Sequence, residues 1–326
     1  MPGFHPVRVT LADTCTRGGS QERAARSAAS AGRRGLAIEA ETPPRDVDLA
    51  RKSPLSRASM PPGRERDVSA TYDLVRSSFG PNAAKYTHSH GHADTGALAR
   101  LVAGLAPRRG DWVLDVGAGA GQTGLAFAAA VARVVALDLT REMLQEARLN
   151  AAVRGISNLA VQQGGAEALP FDAGSFDIVV CRRAAHHFAA PAQAVLEMAR
   201  VLRPGGRLAI VDTMVPEDDE IDRQINAIER LRDPSHVRDR RPSEWRALVT
   251  GAGLAVADME IGYYDAGSAT DLDAWTARIG TTPENVAELR RLLREAAPPL
   301  VETLRIELDG AEIHFALPRL TLVAVK

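Results

Sequence analysis

A doubly wound α/β fold is predicted for this chain on three observations. From Trp112 to Asp212, short apolar runs alternate with amphipathic stretches of helical period, as strands and helices do when helices cover both faces of a parallel sheet. A glycine cluster, DVGAGAGQTG (115–124), follows the first of these strands, where such sheets open a ligand crevice. The composition is that of a globular domain, with 45% apolar and 25% charged residues over 326 positions.

The elements follow in order. Residues 1–65 are rich in Arg, Ser, Ala, Gly and Pro without sustained periodicity, and are expected to form a disordered N-terminal extension. Met60 also permits a start there, the first 59 residues being an upstream extension of the reading frame. A folded domain is expected over 66–326. VSATYDLVRSSF (68–79) and ADTGALARLVAGLA (93–106) show apolar spacing near the helical period. WVLDV (112–116) reads as a strand, 121–132 as a helix, RVVALD (133–138) as a strand, and 141–153 as a helix capped by Thr140. LAVQQG (159–164), FDIVVC (176–181) and RLAIVDT (207–213) read as strands, with a helix over 191–202. Beyond Asp212 the alternation loosens: helices are predicted at 217–232 and 242–253, a strand at 254–264, and one helical segment over about 271–297. Residues 311–316 and 319–325 are predicted to close as an antiparallel pair.

Composition excludes several classes of partner. A net charge of −1 with both signs interspersed offers no basic field for nucleic acid or an anionic membrane. The most apolar run, Leu125–Leu139, is interrupted by Arg133 and Asp138 and falls short of the roughly 18 residues of a membrane span. Two cysteines, Cys15 and Cys181, suggest no disulfide framework, which points to a reducing, cytoplasmic setting. A small-molecule partner is the expectation. The sequence is compatible with a homodimer but does not fix the oligomeric state.

The glycine cluster has two registers. From Gly119 it reads GxGxxG, a dinucleotide turn; from Asp115 it reads DxGxGxG. A carboxylate at a strand tip beside the glycines repels a pyrophosphate and attracts an ammonium group. Glycines at 117, 119 and 121 allow a tight turn and close approach of a ligand. Asp138, at the second strand tip, can accept hydrogen bonds from both hydroxyls of a ribose. A ligand with an ammonium group and a ribose, such as S-adenosylmethionine, fits this pattern better than NAD.

The stretches VLDVGAGAGQTG, VVALDLTREML, GGAEALPFDAGSFDIVVCRRAAHHF and EMARVLRPGGRLAIVD, spanning about 112–212, together resemble the class I S-adenosylmethionine-dependent methyltransferases. The similarity is to the small-molecule group that includes the ubiquinone and menaquinone biosynthesis enzymes, and 79–93 with 226–254 further resemble a bacterial subgroup. The resemblance implies a Rossmann-like, seven-stranded sheet of order 3-2-1-4-5-7-6, strand 7 antiparallel, under a helical cap. It implies a cofactor core at about 95–214, with cap and acceptor elements at 66–94 and 215–250. By position, Asp115, Gly117, Ala118, Gly119 and Gly121 would hold the methionine end of S-adenosyl-L-methionine, and Asp138 the ribose. Leu139 and Met143 would border the adenosine, and Ala166 and Glu167 would meet the adenine. Gly165 departs from the family's pattern, which often has an aspartate there.

Methyl transfer from a sulfonium is an in-line displacement in which the protein mainly orients and excludes water. The expected reaction is transfer to O or C of a small organic acceptor. His186 and His187 follow the fourth strand and are the candidate catalytic bases, the alternative being that one packs within the loop. Arg182 and Arg183 can meet a carboxylate of substrate or cofactor, Arg182 also through its backbone. Tyr86 and Tyr72 either close over the methionine end or anchor their helix. His88, His90 and His92 (HSHGH) superficially suggest metal ligation, but a loop over the cofactor is favoured and no metal is expected. RDPSH (232–236) and Trp245 read as structural, a Pro-punctuated turn and a hydrophobic anchor, although the resemblance implies a substrate lid over residues 216–241. Two rival readings stay open: a catalytically silent or non-methylating S-adenosylmethionine binder, and an NAD(P)-dependent oxidoreductase.

Overall fold

The structure, a computed structural model, describes residues 64–87, 95–264 and 270–326. Most of the expected N-terminal extension, Cys15 and the HSHGH histidines (His88, His90, His92) lie outside the described residues. Helices α1 (Arg64–Phe79), α2 (Ala83–Thr87) and α3 (Thr95–Leu105) precede the sheet. Then come β1 (Trp112–Val116), α4 (Gln122–Phe127), β2 (Arg133–Asp138), α5 (Arg141–Val153), β3 (Leu159–Gln163), β4 (Phe176–Arg182), α6 (Pro191–Val201) and β5 (Leu202–Thr213). The remainder is α7 (Asp219–Arg232), α8 (Pro242–Gly251), β6 (Ala255–Tyr263), β7 (Thr270–Asp271), α9 (Leu272–Ile279), α10 (Pro283–Arg294), α11 (Pro298–Leu304), β8 (Glu307–Asp309), β9 (Glu312–Phe315) and β10 (Pro318–Val325).

Seven strands form one sheet in the order β3-β2-β1-β4-β5-β10-β6. This is the order the resemblance implied, with β10, the last strand in the chain, antiparallel to both β5 and β6. Successive strand residues face opposite layers. Leu114, Val116, Val179, Cys181, Leu208 and Ile210 face the layer of α6 and α8, with Met198, Trp245 and Val249. Val113, Val134, Ile178, Val180 and Ala209 face the layer that holds Leu105, Phe127, Ile225 and Leu289. Cys181 is a buried free thiol. No helix among the described residues is long and apolar enough to cross a membrane.

Four local expectations need correction. The helix at 121–132 ends at Phe127 and continues as a short 3-10 turn, Ala128–Ala130. Asn158 Nδ2 closes that end by donating to the Ala128 and Val131 carbonyls at 2.8 and 3.1 Å. The single helical segment at 271–297 is two helices, because Gly280 takes a left-handed conformation (φ 81°) and Thr282 caps the next helix through Asn285 N. Strands at 311–316 and 319–325 do not pair with each other. β9 joins β7 and β8 in a small second sheet, while β10 enters the slot between β5 and β6, where Leu320, Leu322 and Ala324 are fully buried. Thr140 occupies the N-cap position of α5, but its hydroxyl makes no capping bond.

Trp245 on α8 is 1% exposed and is the largest of the fully buried side chains, which fixes this helix to the sheet. Trp245→Ala is therefore expected to lower the unfolding free energy in urea titrations by about 3–5 kcal/mol. A loss below about 1 kcal/mol would mean that the site collapses around the smaller side chain.

Candidate active site

The carboxyl ends of β1, β2, β3 and β4 surround a cleft with about 950 Å³ of open space. Its floor is the loop after β1. Gly117 and Ala118 donate their N–H groups to the Leu137 carbonyl at 2.8 and 3.0 Å, which folds the loop onto β2. Gly117 has φ 69°, and a Cβ there would overlap that of Ala184. At Gly121 (φ 82°) an added Cβ would sit 2.9 Å from that of Ala147 on α5. The turn therefore needs glycine on both conformational and steric grounds.

Two buried carboxylates hold this loop from opposite sides. Asp115 Oδ2 accepts from Gly124 N at 2.8 Å, inside the first turn of α4. Asp138 Oδ2 accepts from Gly119 N and Oδ1 from Thr140 N, both at 2.8 Å. Burial raises both carboxyls, Asp115 to about 7, because the hydrogen bonds do not offset lost solvation. Asp115 does not line the cleft as the sequence suggested. Its side chain is 1% exposed and turned under the loop, since the α4 N–H is within its reach. Asp138 does line the cleft, and each of its oxygens retains a lone pair.

Of the other predicted cofactor residues, Gly117, Ala118, Gly119, Leu139, Met143, Gly165, Ala166, Glu167, Arg182 and Tyr86 line the same cleft, whereas Gly121 does not and instead caps α4. Glu167 is not the open adenine acceptor that was expected. Oε1 accepts from Ala189 N and Ala190 N at 3.0 and 3.3 Å, and Oε2 accepts from the Tyr72 hydroxyl at 2.7 Å. Arg183 also borders the cleft, in a left-handed conformation (φ 57°), with its guanidinium 4.0 Å from the centre of the Tyr264 ring.

The rings of the two candidate catalytic histidines lie 4.1 Å apart between centres, but they face different surroundings. His187 lines the cleft, edge-on to Phe79 at 5.0 Å between ring centres. His186 lies behind it: Nδ1 is 2.7 Å from Asp212 Oδ1, and its backbone N donates to Oδ2 at 3.0 Å. Burial opposes a charge on His186, but Asp212 overcomes it and lifts the imidazole to about 9. His187 goes the other way, held at about 4 by burial and by the positive neighbour. It is neutral at pH 7.

The RDPSH turn, read from sequence as structural only, packs against both histidines. The Ser235 carbonyl is 3.0 Å from His187 Nδ1. A carbonyl only accepts, so Nδ1 carries the proton and Nε2 has the lone pair. Asp233 Oδ2 lies 4.0 Å from that Nε2 and has no hydrogen-bond partner among the described residues. Ser235 Oγ donates to Asp233 Oδ1 at 2.6 Å, and His236 stacks near His186 with ring centres 5.6 Å apart. Val237 N and Arg238 N both donate to the His186 carbonyl, which fastens the turn to the segment after β4. The available signal was three chemistry-bearing residues within five positions, directly after an amphipathic helix.

Because Asp138 holds two loop N–H groups and faces the cleft, Asp138→Ala is expected to weaken S-adenosylhomocysteine binding by about 1.5–3 kcal/mol in calorimetric titrations. Asp138→Asn is expected to lose a comparable amount, since one amide end must present N–H to another N–H. Unchanged affinity in both variants would show that Asp138 does not meet the ligand.

A methyltransferase-domain family model matches residues 114–210. The Bacillus subtilis (strain 168) protein described as uncharacterized methyltransferase YcgJ is 38% identical over 250 residues, covering 76% of this chain and 97% of its own. Its crystal structure superposes with a TM-score of 0.67 over 71% of this chain and 98% of that one. A putative methyltransferase, BH2331, from Bacillus halodurans C-125 is 33% identical, with the same TM-score over 71% and 99% of the two chains. A demethylmenaquinone methyltransferase from Clavibacter sepedonicus is 34% identical over 149 residues, 46% of this chain and 59% of its own. Sheet order, glycine loop and these similarities agree: the chain belongs to the class I S-adenosylmethionine-dependent methyltransferases.

Proposed function

We propose that this chain methylates an oxygen or carbon atom of a small organic acceptor, using S-adenosylmethionine, with His187 removing the acceptor's proton. One observation carries the reading: a single cleft joins Asp138, suited to two neighbouring hydroxyls, to a neutral imidazole with its Nε2 lone pair uncommitted. The residues present fit the cofactor. The glycine loop leaves room where a Cβ would intrude, Asp138 keeps acceptor capacity, and Asp115 places under-compensated negative charge below the loop. The similarity to a demethylmenaquinone methyltransferase supports a small organic acceptor. In this reading residues 95–214 form the cofactor core, and the 66–87 and 215–250 elements shape the acceptor side, with Tyr72 and Tyr86 of the former also lining the cofactor cleft.

When bound, the cofactor supplies a methyl group already activated on a positively charged sulfur. The protein's tasks are then orientation, water exclusion and proton removal. Phe79, Tyr86 and Phe188 give the cleft apolar walls around His187. A base held at about 4 is too weak to strip a phenol in advance, but it is always unprotonated at neutral pH. It suits a proton that leaves late, when the attacked hydroxyl or ring carbon has become strongly acidic. Asp233, 4.0 Å from Nε2, favours the imidazolium that results. Positive His186, paired with Asp212, holds the backbone of the histidine pair in place.

The reading is tested with labelled methyl transfer to a panel of phenols, quinols and activated carbon acceptors. With any acceptor so found, His187→Ala is expected to lower kcat about 10²–10⁴-fold while S-adenosylhomocysteine affinity stays within about threefold. Retained kcat would remove His187 as the base. Neutral His187 is the active form, so the rate is expected to fall as pH drops through about 4. A plateau is expected above that limb. An acid limb near the ordinary histidine value of about 6.5 would contradict this assignment.

A further inference from the structure

We propose that Tyr72, on α1, is the residue that distinguishes the cofactor's base, its hydroxyl oxygen accepting a hydrogen bond from the exocyclic amine of adenine. The inference rests on the cofactor reading above and concerns where the purine ring lies. If Asp138 takes the ribose, the base extends away from β1 and β4 toward the end of β3. Gly164 N donates to the Asp138 carbonyl at 3.0 Å, so Gly165 sits directly beside that strand tip. Val75, Leu139, Met143 and Ala166 are among the apolar residues that line the same cleft, and apolar walls suit a flat ring.

Gly165 is explained by the same side chain. Its φ needs no glycine, since it is not among the positive-φ positions. What it lacks is room: a Cβ built on Gly165 would overlap the Tyr72 hydroxyl, with ring carbon Cε2 2.8 Å away. The tyrosine thus occupies the volume that a side chain at position 165 would fill. A helix outside the sheet thereby brings a polar group to the cleft.

The direction of that polar group is fixed. Ala189 N and Ala190 N hold Glu167 Oε1, so the carboxylate cannot turn, and Oε2 takes the Tyr72 proton at 2.7 Å. Burial and the Glu167 charge raise the phenol, which stays protonated. With its proton committed to Glu167, the hydroxyl oxygen can only accept. It matches the amine of adenine, a donor, and opposes a carbonyl oxygen in the same place. Discrimination by a buried, pre-oriented polar group is strong because the wrong partner leaves that group unpaired.

The test uses isothermal titration of the full chain with S-adenosylhomocysteine and with its 6-oxo analogue, S-inosylhomocysteine. Wild type is expected to prefer the amine at least about thirtyfold. Tyr72→Phe should reduce that preference about tenfold, mainly by weakening S-adenosylhomocysteine. In the double variant Tyr72→Ala/Gly165→Asp, a carboxylate in the vacated volume should restore it. A tyrosine that merely docks α1 would weaken both ligands equally, so a ratio unchanged by Tyr72→Phe overturns the inference. Tighter S-adenosylhomocysteine binding in Tyr72→Ala would overturn it too, showing that the ring fills the base's own place. Should Tyr72→Phe lower the melting temperature enough to obscure binding, the double variant decides, and its failure to prefer the amine counts against the proposal. Wild type that binds neither ligand rejects the cofactor reading itself, whereas tight binding without preference rejects only the role of Tyr72.

Discussion

The site depends on how two buried carboxylates hold one glycine loop. Asp115 and Asp138 stand at neighbouring strand tips, paired in register through Asp115 with Ala136 and Val116 with Leu137, and each accepts backbone N–H groups of the segment between them. Hydrogen bonds to a charged acceptor contribute about 1.5–3 kcal/mol each, yet burial still raises both carboxyls above their ordinary range. Burial therefore disfavours the ionised form of both groups. A cationic ligand beside them would favour ionisation, and a diphosphate would oppose it.

On the opposite side of the cleft, charge is arranged differently. The pair His186–Asp212 is an ion pair at the end of β5, and burial, with that positive neighbour, keeps His187 neutral. The RDPSH turn then sets the tautomer of His187 through a single carbonyl. Burying Asp233, Asp239 and Glu229 together is costly; burial and mutual repulsion lift Glu229 to about 7, and burial lifts Asp239 to about 6 despite positive His186. Such a network makes sense if it orients groups at the cleft, because stability alone would favour apolar packing there.

Much of this was legible in the chain. Alternating apolar runs from Trp112 to Asp212 located four of the five parallel strands to within one residue, because both faces of the sheet are covered and the runs are continuous, while β5 starts at Leu202, ahead of the expected Arg207. The DxGxGxG register and Asp138 located the cleft. What escaped was long-range. Nothing local says that β10 inserts between β5 and β6 while β9 leaves for another sheet. The contact of Ser235 with His187 spans 48 positions, and that of Tyr72 with Glu167 spans 95. Asp115 was placed at the right strand tip but pointed the wrong way, since side-chain direction there is decided by the α4 N–H above it. The break at Gly280 was a different kind of miss, as Gly280, Thr282 and Pro283 are stop and start signals readable in sequence.

The most direct test of the central claim is competition for the glycine loop. Isothermal titration of the full chain with S-adenosylhomocysteine and with NADH, under identical salt and pH, compares a ligand bearing an ammonium group and no phosphate with one bearing a diphosphate. Saturable binding of S-adenosylhomocysteine is expected, and none of NADH at the same concentrations. Binding of NADH alone would contradict that claim.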